Sequence, residues 1–182
     1  MPGLKTLRAL MLAGCLVASR GEAAAPSEYQ VKAVFLFNFS RFVEWPTTAF
    51  ASADAPFVLG VFGHDPFGAD LDQVVKGASV DGRPLVVRRV RRTAEAADCQ
   101  ILFIHQSESR RLAEVLAAVG RRQTLTVSDF PGSAQRGVMI RLMTQGGHVR
   151  MHVNVDTARA ANLVISSNLL RSAEIVQNTE GR

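Results

Sequence analysis

Four short apolar runs alternate with stretches of helical spacing through the middle of the chain: Phe57–Phe62, Pro84–Val90, Gln100–His105 and Thr124–Val127. Runs this short and this apolar are buried on both faces, and helices between strands force parallel crossovers. The pattern therefore predicts an α/β fold. It is a three-layer sandwich with a mostly parallel central sheet and helices on both faces. Between the runs, Asp65 is placed to cap a helix with Pro66 at its first position, running through Leu71, Val74 and Val75. Ser107 is placed to cap another, with Leu112, Val115, Leu116 and Val119 on one face and Gly120 at its end. Asp81-Gly82 reads as a turn.

The rhythm changes near the C-terminus. Val138–Gln145 and His148–Val155 flank Gly146-Gly147, a two-residue hairpin signal. If Gln145 faces His148, then Leu142 faces Met151, Ile140 faces Val153 and Val138 faces Val155. The other face pairs Arg141 with His152, Met143 with Arg150 and Met139 with Asn154. One face is uniformly apolar and the other mostly polar, which is what a single register requires. The central sheet thus ends in an antiparallel hairpin. Asp156 then caps a short helix, Thr157 to Asn162, and Ser166 or Ser167 caps a last amphipathic helix with Leu169, Leu170, Ala173 and Val176.

A first helix is expected over Ser27–Trp45, with Val31, Val34, Phe35, Asn38, Phe39, Phe42 and Val43 at helical spacing and Pro46 ending it. Lys32 and Arg41 bracket too few residues for a membrane span. Ahead of this helix, Lys5 and Arg8 precede an apolar stretch, Ala9–Ala18, and the small residues Ala23–Ala25. That order is a secretory signal peptide, with cleavage expected after Ala25. Residues 26–182 then form a single domain, carried to the periplasm. Leu12-Ala13-Gly14-Cys15 also has the form of a lipobox, so a lipoprotein acylated at Cys15 is the alternative. Export excludes functions that need cytoplasmic ATP, NADH or DNA. Lys5, Arg8 and Arg20 leave with the leader against Glu22, so only mild basicity remains of the +5 net charge. Such a surface suits anionic glycans, lipid headgroups or an acidic partner better than nucleic acid. Cleavage also removes Cys15. Cys99 is left without a partner in its own chain, and it precedes a buried strand.

Few residues suggest chemistry. His148 and His152 would lie about 13 Å apart on a strand and cannot share a metal ion within the chain. No nucleophile elbow, P-loop or zinc-protease pattern is present, so no catalytic residue, metal or cofactor is assigned. Candidate binding groups fall in three places. His64, His105 and Ser128 sit at strand ends, where ligands gather in open α/β sheets. Arg88 and Arg89 belong to a dense cluster with Arg83, Arg91 and Arg92 that could contact an anion or an acidic partner. Arg141, Arg150, His152 and Asn154 form the outer face of the hairpin, which charge alone could be keeping soluble.

Several stretches together resemble the YfiR-like family. They are Glu28–Phe39 with Phe42-Val-Glu-Trp-Pro46, Val58–Phe62 with Asp65-Pro-Phe-Gly68, Gly82-Arg-Pro-Leu85 and Cys99–Ile104. The series continues through Leu125-Thr-Val-Ser-Asp129, Gly137-Val-Met-Ile140, Val153-Asn-Val155 and Ile165–Leu170. The resemblance covers nearly all of residues 26–182, in order. It implies a small periplasmic protein, often a homodimer, without known enzymatic activity. Such a protein represses a membrane-bound diguanylate cyclase by binding its periplasmic sensor domain, and so links envelope signals to cyclic di-GMP and biofilm formation. The alternative is a binding module for a small ligand or peptidoglycan fragment serving a receptor or sensor kinase. Cys99 matches a cysteine position of the family, whose members use disulfides in redox response. Here it has no second cysteine, so any redox role requires pairing between two subunits.

Overall fold

A computed structural model describes residues 25–120 and 122–178. The expected leader falls on residues 1–25, all but the last of which lie outside the described residues. Helix α1, Glu28–Phe42, opens on a capping box: Ser27 Oγ accepts from the Gln30 N–H while Gln30 Oε1 accepts from the Ser27 N–H. It stops three residues short of the expected end. Val43–Glu44 is strand β1, paired antiparallel with β9, Val164–Ile165, and the Phe42 carbonyl accepts from Ser166 N–H. A two-residue pairing partner 120 to 122 positions away in sequence outcompetes the last helical turn. The buried stripe of α1 is also rotated from the expected one. Lys32, Ala33, Leu36, Phe39 and Ser40 face inward, whereas Val34 and Phe42 are exposed.

The remaining elements follow in chain order: β2 Phe57–Phe62, α2 Ala69–Val75, β3 Ser79–Val80, β4 Arg83–Val90, α3 Thr93–Ala96, β5 Ile101–Ile104, α4 Leu112–Val119, β6 Leu125–Ser128, β7 Ile140–Gln145, β8 His148–Val153, α5 Val155–Ala160, α6 Ser167–Leu170 and β10 Glu174–Ile175. The main sheet has the order β10-β8-β7-β6-β5-β2-β4-β3. Neighbours from β4 across to β7 are parallel, and β7 with β8 is antiparallel. The expected α/β sandwich is therefore present. The hairpin register is also as expected from Ile140↔Val153 to Gln145↔His148. Gly146 and Gly147 take φ +57° and +76°, the left-handed pair that a two-residue turn between twisted strands needs.

Strand alternation divides the core. Leu59, Val61, Ile101, Phe103, Leu125, Val127, Leu142 and Met151 face α1, α2 and the C-terminal helices. Val58, Phe62, Leu102 and Ile104 face α3 and α4 with Leu112 and Val115. None of the buried residues in this second cluster comes from β7 or β8. The sheet is thus covered on both faces at its centre and on one face at its hairpin end.

Local caps differ from those expected, each for a visible reason. Asp65 does not cap α2; Oδ1 accepts from Phe67 N–H at 2.8 Å and closes a turn one step earlier, which drives Phe67 into the core against Phe103. Ser107 does not cap the helix after β5; the His105 side chain does so for a 3₁₀ turn, Gln106–Arg111. Asn154, not Asp156, caps α5. The last helix ends at Leu170 rather than reaching Val176, because Glu174–Ile175 pairs with His152–Val153 as the edge strand β10.

Candidate functional site

Strand order decides where a crevice forms. The chain leaves β2 to pair β4 on one side, then crosses to pair β5 on the other, so the connections diverge at their carboxyl ends. His64 and His105 follow these two strands, and their rings lie 5.1 Å apart. His105 Nδ1 accepts the Ser107 N–H at 3.0 Å, which places the ring proton on Nε2 and requires a neutral imidazole. Burial lowers the His105 pKa, and the Asp129 and Glu108 charges oppose that shift. Ser107 Oγ accepts the His64 N–H and donates to Glu108, so neither histidine side chain is bonded to a hydroxyl.

Ser128 does not open into this crevice. It is fully buried, and its hydroxyl bonds Ser133. The next residue, Asp129, carries the polar function there. Lys32 Nζ lies 2.9 Å from its carboxylate and 2.5 Å from that of Glu28, and Tyr29 donates its hydroxyl to Asp129 at 3.0 Å. Lys32 is only 2 % exposed. Burial, reinforced by the Asp129 charge, pushes the Tyr29 phenol up to about 12. This buried group is not singled out from the sequence, where Lys32 marks only a limit on apolar length and Asp129 only the end of a family-like stretch. The available signal was a lysine four residues before Leu36 on the inward stripe.

The arginine cluster is divided by the pleat of β4. Arg89 donates to both oxygens of Asp72, to Asp65 and to the Gly68 carbonyl, and these carboxylates raise its pKa. It ties β4 to the α2 turn and is not free to bind. Arg83 stacks on Phe50 at 3.9 Å, and Arg92 pairs with Glu95. Arg88, on the opposite face from Arg89, has no such partner among the described residues.

At the hairpin end, Arg141 faces His152 and Met143 faces Arg150 across β7 and β8. All four lie on the sheet face that the second core cluster leaves open. Beside them is a cavity of about 560 Å³, lined by Met143, Arg150, His152, Arg171 and Glu174 among others. His152 Nε2 contacts Glu174 at 3.1 Å and holds β10 at its rim. His152 Nδ1 and Arg141 Nε are both buried without a hydrogen-bond partner. Asn154, expected on this face, is instead fully buried: it caps α5 and donates to the Ala134 carbonyl. The polar alternation stops one residue before it, where the strand ends.

Cys99 is 2 % exposed, and burial pushes its thiol up to about 12. Its Sγ packs against Gly60 of β2, where an added Cβ would lie 2.5 Å from it. The thiol therefore lacks both the exposure that pairing between subunits needs and a thiolate at neutral pH. Among the described residues no cluster of three metal-ligating side chains occurs. No helix among them is long and apolar enough to cross a membrane.

A conserved domain protein from Vibrio cholerae O1 biovar El Tor str. N16961 has a similar fold, with a TM-score of 0.54 at 12 % identity. The alignment covers 82 % of this chain and 60 % of that one, so the chain spans only part of that protein's length. No curated protein sequence matches. Residues 29–174 match the YfiR/HmsC-like family, and the chain therefore belongs to that family, one of periplasmic regulators rather than known enzymes.

Proposed function

We propose that this chain is an exported regulator that binds the periplasmic sensor domain of a membrane-bound diguanylate cyclase and holds the enzyme off. An envelope signal that weakens the complex shifts the cyclase toward its active state, since a binder moves an equilibrium only by its unequal affinity for the two states. The observation that carries this reading, beside family membership, is the uncovered basic end of the sheet. Arg150 and Arg171 line an open cavity there, and two buried polar atoms of Arg141 and His152 lack partners. An acidic segment of a sensor domain would supply acceptors to Arg150 and Arg171. By contrast, the crevice near His64 and His105 satisfies its charges internally.

Deleting the gene tests the proposal. Cyclic di-GMP and surface attachment should rise; unchanged levels in cells that express a diguanylate cyclase with a periplasmic sensor domain would overturn it. A second reading has its own observation. The cavity beside His152 has the volume of a small-molecule site, so a peptidoglycan fragment or small metabolite could be the occupant. Tight binding of a muropeptide by the purified protein, with no cyclase partner recovered, would favour that reading.

A further inference from the structure

We propose that a second cavity, at the opposite end of the strands from the histidine crevice, binds a small carboxylate or phosphate through Arg88 and Arg122. The cavity has a volume of about 380 Å³ and lies where β2 and β5 begin, beside Val58 and Gln100. Its position and residues are separate from the hairpin surface used above, and it stands whether or not the cyclase reading does.

The walls are built rather than incidental. Gln100 is 5 % exposed, accepts the Val58 N–H at 2.8 Å and donates to the Ala49 carbonyl at 2.7 Å. Trp45 Nε1 donates to the Gln100 carbonyl. Arg83 covers Phe50 and donates to the carbonyls of Ser52 and Ala55. These bonds fix the loop that leads from α1 to β2, and with it the Phe50 side of the cavity. The other side is the short link after α3, which presents Asp98, and the turn after α4, which presents Arg122.

The convergence of two arginines from different elements on one cavity points to a ligand. Among the described residues, Arg83, Arg89, Arg92, Arg111, Arg136, Arg159 and Arg171 each reach a carboxylate, carbonyl or amide oxygen, whereas Arg41, Arg91, Arg110, Arg141 and Arg150 do not, so it is not the lack of a partner but the sharing of one cavity that sets Arg88 and Arg122 apart. Arg88 and Arg122 both line this cavity, and neither side chain has a hydrogen-bond or ion-pair partner among the described residues. Arg122 lies just past the C-terminus of α4, whose unpaired carbonyls favour a nearby cation. That accounts for its charge but not for Arg88, which arrives from a strand. Among the described lining residues, two guanidiniums beside one carboxylate, Asp98, leave a single positive charge uncompensated. A carboxylate neutralises it, a phosphate monoester more than neutralises it, and either can take paired N–H donors from an arginine. The apolar side, Phe50 and Val58, favours an anion carried on a flat or apolar body over a bare inorganic ion.

Benzoate, phenyl phosphate and inorganic phosphate are titrated separately into the purified protein, with arginine side-chain N–H resonances read by NMR and affinity by calorimetry. Benzoate or phenyl phosphate should shift the Arg88 and Arg122 signals together at millimolar concentration, and whichever binds more tightly identifies the headgroup. Arg88→Gln and Arg122→Gln should each weaken binding about tenfold, the loss of one charge-assisted contact. Asp98→Asn should tighten it. Both arginines are exposed and unbonded, so neither variant should unfold the chain. If no probe shifts these resonances, or if Arg150→Gln abolishes binding while Arg88→Gln does not, the site is not here.

Discussion

The crevice end and the hairpin end of the sheet carry similar sets of charged groups but treat them in opposite ways. Around the crevice, Lys32 is buried and meets Glu28, Asp129 and the face of Tyr29. At the hairpin, Arg150 is exposed and no described residue pairs with its charge. A buried charge must be paired within the fold, or the cost of stripping its water is not recovered. A charge left open at the surface contributes little to stability and is free for a partner. Residues that hold the fold and residues that face a partner should therefore separate experimentally.

The largest effect is expected at Lys32. Lys32→Met strands the buried Asp129 carboxylate and should cost about 3–5 kcal/mol in chemical denaturation. The double variant with Asp129→Leu should recover much of that loss. A cost no greater than that of an exposed ion pair would erase the contrast. Gly60→Ala comes next. Its Cβ would meet Cys99 Sγ at 2.5 Å and Leu102 Cδ1 at 2.9 Å, an overpacking worth about 1–3 kcal/mol that Cys99→Ala should partly relieve.

A smaller effect concerns acid. His105 is held neutral as a hydrogen-bond acceptor, and burial lowers its pKa below the ordinary 6.5. The unfolded chain therefore binds this proton first. The stabilisation is complete above pH 6.5 and is lost as the pH falls from there through the folded value. Thermal melts from pH 7.5 down to pH 5, as a round working range about the ordinary histidine value, should fall more steeply for the native chain than for His105→Asn. Asparagine can still accept the Ser107 N–H. Identical slopes would show that this imidazole does not sense acid. The smallest stability change is expected for Arg150→Glu, within about 0.5 kcal/mol. That variant should nevertheless lose the cyclase sensor domain in a pull-down. If it binds as well as the native chain, the open end is not the docking face.

The parts of this fold visible in the sequence are those set by local periodicity. The apolar runs at β2, β5 and β6 and the mirrored flanks of Gly146-Gly147 each lie within one continuous segment. The hidden parts depend on distant partners. β1 pairs with β9 and β10 with β8, through two-residue strands too short to show any alternation. Asn154 follows the hairpin's polar period on paper, yet the strand ends at Val153 and its side chain turns inward to cap a helix. The Lys32–Asp129 contact joins residues 97 positions apart, and nothing local to either names the other. The candidate sites show the same division. His64 and His105 meet as strand-end logic predicts. Arg88 and Arg89 are adjacent in sequence but occupy opposite faces, with one spent on Asp72 and the other unengaged.

The tie between α1 and Asp129 also fixes an order of events. The helix near the start of the chain is anchored by a residue that follows the fourth parallel strand, and its Leu36 and Phe39 stripe shares one core with residues as late as Met151 and Val153. Chain growth delivers α1 early, but its docking surface is finished only when most of the polypeptide has emerged. Contacts this distant are slow to close, and the apolar side of α1 stays uncovered in the interval. The first helix made is among the last to settle, and holdase chaperones would find their target there.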